Sequence, residues 1–134
     1  MDRVFLDANV LVSAALKPDS RLAELWVLAD VRLLASPHVV EEARRNVLEP
    51  PARSRLEVLL SAVAVLPSEP ADHEIEGDPE MPPKDRSVLL GALAAGAGFL
   101  LTGDMRHFGQ FMGRDVAGVR VMLPGEYLRE RGKR

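Results

Sequence analysis

Two β-rich apolar runs, Arg3-Val4-Phe5-Leu6 and Phe99-Leu100-Leu101-Thr102, each stop at an aspartate: Asp7 directly, and Asp104 through Gly103. Behind the first, Asn9 to Leu16 carries apolar side chains at helical spacing, so a strand feeds a helix. The alternation continues along the chain. A helix is predicted over 20–30, with Ser20 as N-cap and Leu22, Leu25, Trp26 and Ala29 as its apolar stripe. A strand over 32–35 follows, and Ser36-Pro37 opens a helix that turns Val39, Val40, Ala43 and Val47 inward until Pro50-Pro51 ends it. Further helices are predicted over 53–62, 85–97, 106–112 (a turn or two) and 125–130, with strands over 63–66, 99–102 and 119–123. Strands alternating with helices, with few tight hairpin signals, imply an α/β fold: a mostly parallel sheet covered by helices on both faces. At 134 residues the chain is predicted to be one domain, 1–134.

The absence of cysteine removes disulfides, thiol nucleophiles and Cys-based zinc sites, and makes the cytoplasm the default compartment. Met1-Asp2-Arg3 does not read as the start of a signal peptide. The longest apolar run, Ser87 to Gly103, is interrupted by four glycines, and reads as a buried helix and strand, with no membrane partner.

A net charge of −3 is unexpected for a protein that binds phosphates until the acids are located. Six of the 20 acidic residues (Glu69, Asp72, Glu74, Glu76, Asp78 and Glu80) fall between Pro67 and Pro83, where there is no Lys or Arg. Over the rest of the chain the 17 basic residues prevail, more so if some acids are neutralised by metal. This proline-rich acidic stretch is the one long loop the pattern contains.

In an open α/β sheet, ligands collect at the carboxyl ends of the strands, which is where Asp7 and Asp104 stand. Asp85 opens a helix that must pack beside the strand of Asp104, and Glu42 lies on the helix after the second strand. Four carboxylates at one sheet edge repel one another and stay fully ionised only with cations bound. All-oxygen ligation suits Mg²⁺ or Mn²⁺, and the chemistry it serves is phosphodiester hydrolysis. Each acid also has a plainer reading. Asp7 and Asp85 fit helix caps, Asp104 fits a turn, and Glu41-Glu42 fits any solvated helix face, with helical phase favouring Glu42 over Glu41 by a small margin.

In this order and on these elements the four acids resemble the PIN domain family. Val4-Phe5-Leu6-Asp7-Ala8-Asn9-Val10-Leu11-Val12-Ser13-Ala14 is similar to that family's opening strand and helix, and Ser36-Pro37-His38-Val39-Val40-Glu41-Glu42-Ala43 to its second motif. Asp85 with Val88-Leu89-Leu90-Gly91-Ala92-Leu93 resembles the third, and Leu101-Thr102-Gly103-Asp104 the fourth, so the likeness runs from residue 4 to about 123. The resemblance implies a five-stranded parallel sheet between helices, in a three-layer α/β/α sandwich. It also implies Mg²⁺- or Mn²⁺-dependent cleavage of single-stranded RNA, a homodimer, and for many small bacterial members a toxin role with a silencing antitoxin partner. By its pattern Asp7, Glu42, Asp85 and Asp104 carry metal and catalysis, while Asn9 and Thr102 support and orient them. Where many members have an acid just before the last metal-binding strand, this chain has Gly98, which implies weaker metal binding.

Arg44, Arg45 and His107 are the candidates to touch RNA phosphates, and the tail residues Arg129, Arg131, Lys133 and Arg134 are weaker ones. The histidines His38, His73 and His107 sit on unrelated elements, which argues against a His-based metal site. Few aromatics occur, so base stacking does not dominate recognition, and Trp26 reads as core or dimer interface. Competing readings are a catalytically silent PIN fold that binds partners and a haloacid dehalogenase-like phosphatase suggested by Asp7-Ala8-Asn9-Val10. The latter lacks its second Asp, the general acid that chemistry needs. A receiver-like domain would show adjacent acids after the first strand and a Lys near the last, and neither is evident.

Overall fold

The computed structural model describes residues 1–132, so Lys133 and Arg134 of the basic tail lie outside the described residues. The sheet is built from β1 (Asp2–Leu6), β2 (Val31–Ala35), β3 (Ala64–Val65), β4 (Phe99–Leu101), β5 (Asp115–Val116) and β6 (Val119–Met122), in the order β3-β2-β1-β4-β6-β5. All pairings are parallel except β5 with β6. The helices α1 (Ala8–Leu16), α2 (Pro37–Asn46), α3 (Ala52–Ser61), α4 (Pro83–Ala94), α5 (Met105–Phe108) and α6 (Pro124–Arg131) flank it, completing the three-layer sandwich. No described helix is long and apolar enough to cross a membrane.

The order of strands places the crossover reversal between β1 and β4, since the chain leaves β1 towards β2 on one side and reaches β4 and β6 on the other. Parallel sheets gather their ligands at this point. Val4, Phe5, Leu6, Leu100 and Leu101 are fully buried, the continuous apolar run expected of strands covered on both faces. Leu6 pairs with Leu101, so the next residues, Asp7 and Thr102, leave the sheet side by side.

Three elements differ from the sequence expectation. The sheet has six strands rather than five, because Asp115–Val116 turns through Ala117 and Gly118 back onto Val119. Both turn residues have positive φ, 52° and 91°, the pair of values a two-residue hairpin requires. Ala is a poor former of that conformation, so the usual Asn-Gly signal is missing. The segment expected as a helix over 20–30 is a 3-10 helix, Arg21–Val27. Its apolar residues Leu22, Leu25 and Leu28 recur every third position, which aligns them on one face of a three-residue turn and leaves Ala29 exposed. Ser20 adjoins it without a side-chain capping bond, while Trp26, half-buried against the core, donates its indole N–H to Leu59 O of α3. Finally, α2 stops at Asn46, ahead of Pro50-Pro51, where Val47 turns into the core.

The acidic stretch between β3 and α4 has no regular element, yet it is tied down. Glu69 accepts from the backbone N–H of His38 at 3.1 Å and from Ser87 Oγ at 3.3 Å, linking the N-terminus of α2 to α4. Arg86 donates to Asp72 at 2.9 Å, and Ile75 is buried.

Gly91 sets how closely α4 lies on the sheet. A Cβ there would stand 2.7 Å from Cζ of Phe5, a fully buried ring with no room to retreat. Gly91→Ala is therefore expected to destabilise the fold by about 1–3 kcal/mol, the usual cost of over-packing a core, measured as a lower urea midpoint at unchanged m-value.

Candidate metal centre

Asp7 is both cap and cleft residue. Its Oδ1 accepts from Ala8 N at 2.8 Å, which caps α1, and its Oδ2 accepts from Thr102 Oγ1 at 2.8 Å and Asn9 Nδ2 at 3.1 Å. Two bonds occupy Oδ2, so Oδ1 retains the free lone pair. Asn9 Oδ1 in turn accepts from Gly103 N at 2.8 Å, and Thr102 Oγ1 accepts from Asp104 N at 3.0 Å. Asn9 and Thr102 thus clasp the ends of β1 and β4 together and leave Asp7 little freedom to rotate.

Asp104 caps α5 by accepting from His107 N at 3.2 Å, and its Oδ2 lies 2.8 Å from His107 Nδ1. The same imidazole nitrogen is 3.6 Å from Asp85 Oδ1. Asp85 is not a cap. It sits at the third position of α4 with only 2% of its surface exposed, and its Oδ2 has no hydrogen-bond partner among the described residues. Donor atoms of Asp85, Asp104 and His107 lie within 4.8 Å of one another. Glu42, on α2, is half-buried and bonded at 2.5 Å to the ammonium of Lys84, whereas Glu41 is exposed and pairs loosely with Arg45 at 3.8 Å.

Asp7, Glu42, Asp85 and Asp104 all line one open cleft of about 550 Å³, together with Asn9 and Lys84. The four acids singled out in the sequence therefore converge, and Glu42 rather than Glu41 faces the cleft. The RNA-contact candidates separate. Arg44 turns away to a two-bond pair with Glu57 on α3, at 3.0 and 2.8 Å, which leaves its donors engaged outside the cleft. Arg45 lines a neighbouring hollow, and His107 lies within the acid cluster itself. Among the tail residues, Arg131 is committed to Asp2 and Asp30, and Arg129 to Glu126. Gly98 stands at the opposite end of β4, its N–H bonded to Arg3 O, so a carboxylate there would be about 20 Å of extended chain from Asp104 and has no bearing on the cleft. Lys84 was missed by the sequence reading. Its signal is a cation in the first turn of a helix, where the macrodipole disfavours one.

Burial pushes the carboxyls of Asp7 and Asp85 above their ordinary 3.8, opposed by the Thr102 and Ala8 bonds at Asp7 and by His107 at Asp85. Asp104 is the reverse case: partial burial raises it, but the bonds from His107 outweigh that and hold it below 3.8. The donor set suits a hard divalent cation. It offers carboxylate oxygens from four elements, one of them buried and unpartnered, with the chain's own Lys84 and His107 drawn in against them.

The PIN domain model matches residues 3–106, which span β1 through the start of α5 and every residue of the cleft. The chain belongs to the PIN domain family. That assignment displaces the dehalogenase-like and receiver-like readings. No curated protein matches the chain in sequence. Among solved structures this PIN domain is similar to VapBC2 from Rickettsia felis bound to a DNA fragment from their promoter, at 20% identity and TM-score 0.63, covering 90% of this chain and 98% of that one. It is also similar to Mycobacterium tuberculosis VapC20, a Sarcin-Ricin loop cleaving toxin, at 17% identity and TM-score 0.52, covering 77% and 92%. At these identities the likeness is one of fold.

The raised carboxyls have a consequence for stability. A folded state that takes up protons above 3.8 is destabilised at neutral pH relative to the unfolded chain, and the destabilisation is relieved as pH falls through the raised pKa values. Asp104, lowered, loses its stabilising contribution only below 3.8 and does not enter that window. In EDTA, Tm is therefore expected to rise as pH is lowered from 7 towards 4.5. Asp85→Asn is expected to start about 3–5 °C higher at pH 7, equivalent to about 1 kcal/mol for relieving a buried carboxylate whose Oδ2 has no hydrogen-bond partner among the described residues, and to show a smaller pH-dependent rise. Thermal denaturation followed by circular dichroism checks both.

Proposed function

We propose that residues 1–134 act as one PIN domain that hydrolyses phosphodiester bonds of single-stranded RNA with Mg²⁺ or Mn²⁺, as the toxin of a toxin–antitoxin pair. The observation that carries the reading is the convergence of Asp7, Glu42, Asp85 and Asp104 on one cleft, with a buried Asp85 oxygen unpartnered among the described residues. Family membership and the fold shared with VapC-type toxins support it. The antitoxin as protein partner, a homodimer and a cytoplasmic site of action belong to the same reading.

Asp7, Glu42, Asp85 and Asp104 would hold the metal. When bound, such an ion lowers the pKa of a water and offsets charge developing on the leaving oxygen. The chain's own contribution is positional. The Asn9–Thr102 clasp holds Asp7 at one orientation, and the N–H of His107 and the bond from its imidazole hold Asp104. Extended single strands suit the open cleft, and Arg45 in the adjoining hollow supplies positive charge for their phosphates. Arg44, already paired with Glu57, takes no part.

The test is a cleavage assay on a pool of labelled single-stranded RNAs in Mg²⁺, Mn²⁺ or EDTA. Wild type is expected to cut only with metal. Asp7→Asn and Asp104→Asn keep an oxygen to cap their helices and are expected to stay folded but lose at least about 100-fold in rate. Asn9→Ala is expected to lose about 10–100-fold, the range for groups that orient a metal ligand. Equal cutting by wild type and both Asp variants would remove the four acids from the mechanism. Metal-dependent stabilisation with no cutting would favour the catalytically silent PIN fold. In filter-binding assays, Arg45→Ala is expected to weaken RNA binding while Arg44→Ala leaves it unchanged.

A further inference from the structure

Lys84 belongs to two concavities at once. It stands on the rim shared by the acidic cleft and a second hollow of about 320 Å³ that His38, Glu41 and Arg45 line beyond α2. Its ammonium lies 2.5 Å from Glu42 Oε1, yet 65% of its side chain is exposed, so it can pivot about its own stem without disturbing the core. Glu42 holds the ammonium above its ordinary pKa against the opposing effect of burial, and the charges of Asp7 and Asp104 act in the same sense as Glu42. One flexible cation thus senses three of the four cleft acids.

Two cations cannot share Glu42 comfortably. A divalent ion drawn in by the carboxylates repels the ammonium at short range in a partly buried site. Charge balance adds a second constraint. Four carboxylates against one divalent ion leave the cleft negative, and an RNA diester brings one more negative charge to it. A mobile cation at the rim is what lets that phosphate approach. Lys84 is the cation placed to do so, because the other basic side chain drawn into the acids, the imidazole of His107, is held between Asp85 and Asp104.

The geometry points to Lys84 as an exchangeable counter-ion: it neutralises Glu42 until a divalent cation binds, then swings to hold a phosphate oxygen of the RNA strand passing from the cleft towards Arg45. This rests on the nuclease reading for its substrate class, and deepens it by assigning a substrate-binding residue and a path.

Lys84→Met and Lys84→Arg test it in the full chain by two binding measurements. Mn²⁺ affinity by calorimetry without RNA is expected to be about three- to tenfold tighter for Lys84→Met, which has no competing charge. Affinity for a labelled single-stranded RNA in Ca²⁺, with its integrity checked on a gel, is expected to fall about three- to tenfold. The slope of log affinity against log salt is expected to shrink by about 0.7, the share of one phosphate contact on a single strand. Lys84→Arg is expected to restore both towards wild type. Unchanged or weaker Mn²⁺ binding by Lys84→Met overturns the counter-ion role, and unchanged RNA affinity and salt slope overturn the phosphate contact. Both arms read binding alone, so wild type that binds RNA and Mn²⁺ but cuts nothing would fail the nuclease reading and leave the assignment of Lys84 standing.

Discussion

The gathering of four carboxyl groups in one cleft, two of them buried, is the constraint around which this molecule is arranged. Burial raises the cost of ionising Asp7 and Asp85, and inside the shared cleft the charge of Glu42 adds to it at Asp7 and that of Asp104 at Asp85. The protein offsets that cost locally and unevenly. Asp7 receives three neutral donors, Asp104 a backbone N–H and an imidazole, and Glu42 a lysine. Asp85 receives the least, and its second oxygen is left to whatever cation enters. An arrangement that is costly for a chain by itself is what binding to a divalent ion requires.

The scaffold makes the crowding unavoidable. Parallel pairing of Leu6 with Leu101 delivers Asp7 and Thr102 side by side at the crossover between β1 and β4. The missing side chain at Gly91 lets α4 settle on Phe5, which carries Asp85 into the same space from above the sheet. The acidic loop between β3 and α4 keeps part of its charge occupied elsewhere: Glu69 is bonded at the start of α2 and Asp72 to Arg86. The ends of the chain are joined by a separate network in which Tyr127 donates to Asp2 at 2.6 Å and Arg131 pairs with the same carboxylate, holding α6 to β1.

Much of this was legible before any coordinates. Helix caps and strand runs are local signals, and Ser36 with Pro37 and Asp7 mark helix starts as expected, whereas Asp104, which fits a turn by its sequence, caps α5. Asp7 shows that the plain reading and the functional one need not compete, since it caps a helix and lines the cleft. Departures came where the deciding partner lies far along the chain or where the local residue is a poor example of its kind. The segment after α1 became a 3-10 helix, with the indole of Trp26 held by Leu59, a contact 33 residues away. The β5–β6 hairpin turns through an Ala that rarely signals one. Arg44 looked as available as Arg45 until Glu57 claimed it.

By itself, then, the order of residues determined the α/β class, the parallel sheet, and that four particular acids stand at strand ends and on the helices beside them. Those are consequences of periodicity and capping, which act over a few residues. Only the tertiary structure decided that Glu42 rather than Glu41 faces the others, that Gly98 is remote, that Asp85 is a buried charge rather than a cap, and that Lys84 is the counter-ion at the rim. Charges interact through space with no regard for their separation in the chain, so which of them meet is settled by packing, and packing is not a local property.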